Sequence, residues 1–441
     1  MRISSAIIIL FLSGALSQDT IRFNTHQGIK DSLETILTEN GDLNTSYTLS
    51  QFNENEVSYS LHTNLATLDT LLFKSTDILS EKIQSRHYNS IIGLTNVRDI
   101  DERFMRTLNQ YRYLSGESEL ILGRTPNNKI GAIISTQTDF SSTVTGIAGF
   151  SRKSDETWDF AGEADIHLEN SWKTAGIIDI LWKRTGEESQ LLKFGIEEPY
   201  LFGFPFGGKF GFIQDLRDGS FVKSNRAIQI ILFTERLGRW DIGTSNTRII
   251  PTPKGDSLGV NESKESSFIV SNQVYALNDR WLPTKGYRHE FDITGGTLKS
   301  TVTSSVLKFN GTVEIFYPFT SSVGSKFQSS LLGTIIEGQN IQEGDKVYFG
   351  GSTLLRGYPD DFFNDDWVFI QSMEFQYSQS NSRLFTFIDA GVAPIFDGAK
   401  LGYGFGYSQV SENTIVSITY GIGQENRLSQ GKLHVIFTSR I

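Results

Sequence analysis

The chain has 441 residues, 38% of them hydrophobic and 12% aromatic, and carries a net charge of −10 at pH 7 with histidine neutral. With no cysteine, a thiolate metal site, a cysteine nucleophile, a lipoprotein anchor and disulfide stapling are excluded. The acidic balance argues against a nucleic-acid partner, and 41 Gly, 9 Pro and 32 Phe suit tight turns between long strands with one apolar face.

At the N-terminus Arg2 precedes an apolar run over residues 6–12, and Ala15-Leu16-Ser17 follows. This order of charge, apolar core and small residues predicts a signal peptide over 1–17, cut before Gln18, and hence an exported protein. No later stretch approaches the ~18 apolar residues of a membrane-crossing helix. If the protein crosses a membrane, it does so as a closed barrel.

Residues 18–136 mix periods. Ile29, Leu33, Ile36 and Leu37 recur at helical spacing with Gly41 as a stop, and strands are expected over 46–51 and 56–63. A strand over 68–73 comes next, then a short helix from Asp77 to Arg86. A second helix has Val97, Ile100, Phe104, Leu108 and Tyr111 on one face. Strands over 119–122 and 129–135 close this part. The order strand, helix, helix, strand, strand describes a small α+β module over 66–136. Residues 18–65 read as a partial copy lacking its first strand and helix.

From about residue 139 the period becomes two and stays so. In 158–169, Trp158, Phe160, Ala164, Ile166 and Leu168 oppose Asp159, Glu163, Asp165, His167 and Glu169. In 286–294, Tyr287, His289, Phe291 and Ile293 oppose Arg288, Glu290 and Asp292, and 307–317 alternates likewise. Sixteen such segments occur, centred near 148, 164, 179, 195, 211, 228, 245, 270, 292, 311, 330, 374, 388, 406, 418 and 435. They are longer than the ~5–6 residues of an average soluble strand and match a membrane-crossing one. An even number suits a barrel whose ends lie on one side. The longest gap, between the segments near 330 and 374, holds Gly350-Gly351-Ser352-Thr353-Leu354-Leu355-Arg356-Gly357-Tyr358-Pro359. A gap of this length in a compact domain marks a functional or disordered loop.

A guanidinium in a confined lumen favours a carboxylate that accepts two hydrogen bonds. Asp389 lies on a strand with Phe387 and Gly391 on the same face, and in lipid it would be costly, so this face is expected inside. Glu374, on the preceding strand, is expected to face the lumen too.

On these residues the chain resembles the BamA/TamA family of outer-membrane assembly proteins. Leu355-Arg356-Gly357-Tyr358 matches the family's lumen-loop motif, and Phe387, Asp389 and Gly391 match the strand motif that its arginine contacts. Softer matches are Glu197-Glu198-Pro199-Tyr200 and the run Asp279-Arg280-Trp281-Leu282-Pro283-Thr284-Lys285-Gly286. The resemblance implies a transmembrane β-barrel of sixteen antiparallel strands over 137–441, preceded by a small α+β region of POTRA-like modules in the periplasm. It implies outer-membrane lipids and unfolded client polypeptides as partners, with periplasmic chaperones or lipoproteins as further candidates. It also implies a working seam between the first strand (Thr143, Gly146, Phe150) and the last (Leu433, Val435, Phe437), which cysteines at Gly146 and Val435 would bridge.

No catalysis is expected. His26, His62, His87, His167, His289 and His434 are scattered, and none sits in a Gly-x-Ser-x-Gly or His-Glu-x-x-His context. Asp360, Asp361, Asp365 and Asp366 read as an acidic solvated loop rather than a metal site, and no cofactor is expected. The rival functions are a polypeptide-secretion pore of the two-partner type, a passive channel, and a soluble secreted β-sandwich.

Overall fold

Period-two alternation over ten or more residues gives each strand one polar and one apolar face, and closing such a sheet hides the polar face and leaves no edge. The computed structural model realises this arrangement, and it describes residues 20–23, 45–53, 56–63, 66–114, 116–125, 129–152, 158–186, 188–234 and 237–441. Segment 1–17 and the helix expected around Leu33 lie outside the described residues. By packing, the chain forms two units. One holds the described residues up to Leu72 with Tyr88–Phe104 and Leu120–Ile134. The other holds Phe73–His87, Met105–Glu119 and Ser135–Ile441.

The N-terminal part begins with strands β1 (Thr20–Phe23), β2 (Thr45–Asn53) and β3 (Glu56–Thr63), in the spatial order β1-β3-β2. The sequence reading places no strand before residue 46. The four-residue run Thr20–Phe23 is too short for a periodic signal, and its pairing with Glu56–Thr63 makes it a strand. Next come β4 (Leu68–Phe73), helices α1 (Glu81–His87) and α2 (Val97–Gln110), β5 (Glu119–Arg124) and β6 (Ile130–Ser135), with sheet order β4-β6-β5. Both sheets thus set their last strand between the other two. Leu68, Ile91, Ile100, Ile130 and Ile134 are fully buried, and the rings of Tyr88 and Phe104 stack at 5.5 Å. Helix α1 starts later than Asp77, because the Ser80 carbonyl takes the first helical bonds, from the N–H groups of Ile83 and Gln84 (both 3.0 Å).

Sixteen strands close into one antiparallel barrel: β7 (Thr143–Arg152), β8 (Trp158–Glu169), β9 (Ile177–Gly186), β10 (Ser189–Glu198), β11 (Gly207–Arg217), β12 (Phe221–Thr234), β13 (Gly238–Pro251), β14 (Ser263–Leu277), β15 (Gly286–Lys299), β16 (Thr303–Pro318) and β17 (Val323–Ile336), then β20 (Trp367–Gln379), β21 (Ser382–Val392), β22 (Lys400–Val410), β23 (Thr414–Gly423) and β24 (Lys432–Arg440). The short hairpin β18 (Val347–Phe349) and β19 (Phe363–Asp365) lies in the long loop. Every strand covers its expected centre. The outward face is apolar and exposed: Ile228 is 65% exposed, Phe268 73%, Ile293 53% and Phe405 60%. Such a continuous apolar band on a closed barrel is the lipid-facing belt of an outer-membrane protein. The inward face carries buried polar side chains such as Asp241, Glu265, Glu314 and Glu374.

Candidate functional site: a latched loop and a short seam

The loop between β17 and β20 sits on a small apolar core of its own. Phe349, Leu355 and Tyr358 from the loop are buried with Val368 and Ile370 of β20 and with Ala393. Leu355 is fully buried in the left-handed region, at φ 55°. Holding a leucine there is costly, and the packing around it over-determines the turn. That turn presents Arg356.

Each nitrogen of Arg356 donates at least one hydrogen bond. Its backbone N–H and its Nε donate to Asp389 Oδ2 (2.8 and 2.9 Å), and Nη2 donates to Asp389 Oδ1 (2.8 Å) and Ser372 Oγ (2.9 Å). Nη1 donates to Glu374 Oε1 at 2.6 Å. The guanidinium also lies 3.6 Å above the ring centre of Phe387. Arg356 is 7% exposed, Glu374 5% and Asp389 1%, so this is a buried ion-pair group in which Arg356 meets Asp389 bidentately. Lys326 of β17 reaches Glu374 at 3.3 Å and Glu314 of β16 at 3.6 Å, and Arg288 of β15 pairs with Glu314. Signs therefore alternate along the chain of pairs Arg288, Glu314, Lys326, Glu374, Arg356 and Asp389, with the loop arginine set between the two acids of β20 and β21, beside a cavity of about 440 Å³. Sequence reasoning missed Arg288, Glu314, Lys326 and Ser372. Their only signal is a polar residue at an inward position.

Two close approaches fix the loop to β22 and β23. A Cβ on Gly402 would sit 1.8 Å from the Arg356 carbonyl, and one on Gly357 (φ 99°) would sit 2.5 Å from the Ile422 backbone. Neither position accepts a side chain. Gly391 of β21 faces Leu355. Tyr358 lies over Gly423, and its hydroxyl donates to the Leu401 carbonyl at 3.1 Å. The alternating glycines of Gly402-Tyr403-Gly404-Phe405-Gly406 are the sequence signal of this smooth floor.

Beyond the motif the loop reaches other strands. Asp360 pairs with Lys183 of β9 and Asp361 with Arg217 of β11, both at 3.1 Å. Arg217 also lies 3.9 Å from the ring centre of Tyr348. At the loop's start Lys308 of β16 pairs with Asp345 (3.0 Å), and Lys223 of β12 donates to the Gly344 carbonyl (2.7 Å). Asp365 accepts from the Ile395 N–H. Asp360 and Asp361 thus serve as wall contacts.

The seam between the barrel's ends differs from the other ladders. β12 and β13 pair from Phe221↔Pro251 to Thr234↔Gly238. Among the described residues β24 and β7 pair only at Ser439↔Val144 and Arg440↔Thr143. The Ile441 N–H donates to the Ser142 carbonyl (3.0 Å), and the Thr145 and Thr438 hydroxyls meet at 3.1 Å. On its other side β24 pairs with β23 from Thr414↔Ser439 to Gly421↔Lys432. Leu433, Val435 and Phe437 are 64%, 50% and 58% exposed. Gly146 and Phe150 pair with Ala164 and Phe160 of β8. Extending the two observed pairs would set Thr145 opposite Thr438 and Gly146 opposite Phe437, so Gly146 and Val435 are offset and do not make the direct bridge expected from the sequence.

A cluster pins the base of this seam. Arg280 Nη1 donates to the Asp139 carbonyl (2.7 Å) and to Glu169 Oε2 (3.0 Å). The Ser141 N–H donates to the same Glu169 oxygen at 2.9 Å. Arg440 reaches Asp139 Oδ1 at 3.3 Å and Ser141 Oγ at 3.2 Å, and lies 5.4 Å from the ring centre of Trp281. The run from Asp279 to Pro283 thus joins both ends of the barrel. Tyr200, of the other softer match, meets the Tyr111 hydroxyl at 2.5 Å.

The sequence profile of the Omp85 superfamily domain matches residues 186–440, more than half of the chain. The chain belongs to the Omp85 superfamily. Among solved structures it is similar to BamA from Haemophilus ducreyi lacking POTRA domains 1–3, with a TM-score of 0.52, 14% identity, and 95% of each chain covered. It is also similar to CdiB from Acinetobacter baumannii, with a TM-score of 0.56, 11% identity, and 94% of this chain and 81% of that one covered. CdiB from Escherichia coli gives 0.55 at 12% identity, covering 93% and 83%. At these identities the likeness is one of fold. No curated protein matches the chain by sequence. Omp85 proteins are insertases and transporters, not enzymes, and their barrels reside in the outer membrane.

Proposed function

We propose that this Omp85 barrel inserts or translocates client polypeptides at the outer membrane through its seam, with the N-terminal POTRA-like region in the periplasm. The observation that carries this reading is the two-residue pairing of β24 with β7. Two strands that run side by side but scarcely pair offer backbone donors and acceptors to an extended chain, and such edges recruit strands. The edges of the small N-terminal sheets would bind clients in the same way. The buried Arg356 group holds the loop in the lumen while the seam works, and outer-membrane lipids, unfolded clients, and chaperones or lipoproteins of the periplasm are the partners.

A second reading is a polypeptide-secretion pore. In its favour, the loop tip is held by pairs whose aspartates are half exposed, Asp360 at 52% and Asp361 at 54%. Such pairs are worth about 0–1 kcal/mol each, so the tip can swing aside at little cost.

Depletion in the host separates the two. An inventory of the outer membrane should show several β-barrel proteins reduced while exported soluble proteins are unchanged. Retention of one secreted polypeptide with a normal set of barrels would favour the pore, and an unchanged inventory in both compartments would contradict both.

A further inference from the structure

The two turns β8–β9 and β10–β11 lie on the rim where the chain enters and leaves the barrel, and they carry more apolar surface than a turn needs. Phe202 is 85% exposed, Trp172 58% and Phe204 53%. Phe202 sits at φ 52°, ψ 16°, in the left-handed region that a bulky side chain rarely adopts. Held there, its ring projects outward instead of folding back. Phe204 and Phe206 stack at 5.2 Å with planes 7° apart, which stiffens the turn.

The surface continues the lipid belt. Lys209 pairs with Glu197 at 3.0 Å inside the barrel, so Gly208 faces outward by alternation. A Cβ at Gly208 would lie 3.4 Å from Leu201, which places the turn against the outer face of β11. Phe194 and Phe210 lie on that outer face, 6.2 Å apart. Basic side chains flank the aromatics. Arg86 of α1 donates to the Gly203 carbonyl at 2.9 Å, and the Lys82 side chain packs over the same glycine. The Lys173 carbonyl accepts from the Ser80 N–H at 3.2 Å.

We propose that the turn Leu201–Gly203 with Phe204, together with Trp172, is an interfacial anchor that dips into the phospholipid leaflet at this rim. Lys82, Arg86 and Lys173 then lie at headgroup level with their aliphatic stems along the aromatic surface. Aromatic rings settle at the boundary of headgroups and acyl chains, and long basic side chains reach from there to phosphate. Because α1 is bonded to the turn, the anchor also sets how near that helix lies to the bilayer. The inference rests on the membrane reading of the barrel given above.

The cysteine-free chain makes the test direct. Phe202→Cys is labelled with an environment-sensitive fluorophore and the full-length protein is placed in phosphatidylcholine–phosphatidylglycerol vesicles. Phe268→Cys, in the lipid belt, and Ser257→Cys, exposed in the β13–β14 loop, serve as references. The probe at 202 should emit as in an apolar medium and be quenched by a lipid spin-labelled near its headgroup. A water-like, unquenched signal at 202 beside a quenched one at 268 overturns the anchor and leaves the barrel reading standing. Loss of quenching at both positions overturns the membrane reading as well. A signal that turns apolar only in native membranes, with their proteins, overturns the anchor in favour of a protein partner.

Discussion

Arg356→Ala should cost about 3–5 kcal/mol of the loop's attachment, the usual loss when one member of a buried ion pair is removed. The expected asymmetry is more telling than the size. Without the guanidinium, Glu374 keeps Lys326 at 3.3 Å and the Gln376 amide at 2.8 Å. Asp389, 1% exposed, keeps only the Ser372 hydroxyl at 2.6 Å and the backbone N–H of residue 356 among the contacts described. The uncompensated charge therefore falls on Asp389. Adding Asp389→Asn to Arg356→Ala should recover more stability than adding Glu374→Gln, because it removes that charge. Arg356→Lys should fall between wild type and Arg356→Ala, since an ammonium cannot reproduce the planar fork that meets both Asp389 oxygens. Urea unfolding in detergent, with limited proteolysis of residues 337–366, reads both effects. Equal recovery by the two second-site changes would mean that the charge is shared, contrary to the contacts described.

Arg280→Ala should loosen the seam and leave the rest of the wall unchanged. Its side chain is 6% exposed and that of its partner Glu169 is 5% exposed. Glu169 keeps the His167 ring and the Ser141 N–H, both at 2.9 Å, so removing Arg280 costs about 1–3 kcal/mol rather than the full cost of an unpaired buried charge. The position of the charge decides where the damage appears. Arg280 holds the Asp139 carbonyl just before β7, and Arg440 at the end of β24 holds the Asp139 carboxylate. With so few ladder pairs at the seam, these side chains carry a large part of the connection. Hydrogen exchange should accelerate in 139–152 and 432–441, while β12 and β13 keep their protection. Uniform acceleration around the barrel would show that Arg280 supports the wall as a whole.

The wall itself was legible from sequence because a lipid-facing strand must alternate along its full length, and sixteen long alternations leave little freedom of register. Arg356 and Asp389 were legible because a charge expected to point inward needs a partner, and because their segments match the two motifs that the resemblance brings together. Lys183, Arg217, Lys223 and Lys308 were not legible as loop contacts, since they lie on four different strands and only closure brings them to the loop. The seam's short pairing was hidden too. β7 and β24 have ten and nine residues, much like their neighbours, and nothing in their alternation says where hydrogen bonding stops. The start of α1 was misplaced because Asp77 and Ser80 are both capable caps, and the choice between them depends on where the chain turns.

The seam offers the most direct measurement. Thr145→Cys and Thr438→Cys replace side chains whose hydroxyls already meet at 3.1 Å, so a disulfide needs little movement. With no native cysteine there is no competing thiol. Client assembly or translocation is followed with the pair oxidised and then reduced. Loss on oxidation and return on reduction is the predicted result, whereas a locked barrel that still delivers its clients at the normal rate would contradict passage through the seam.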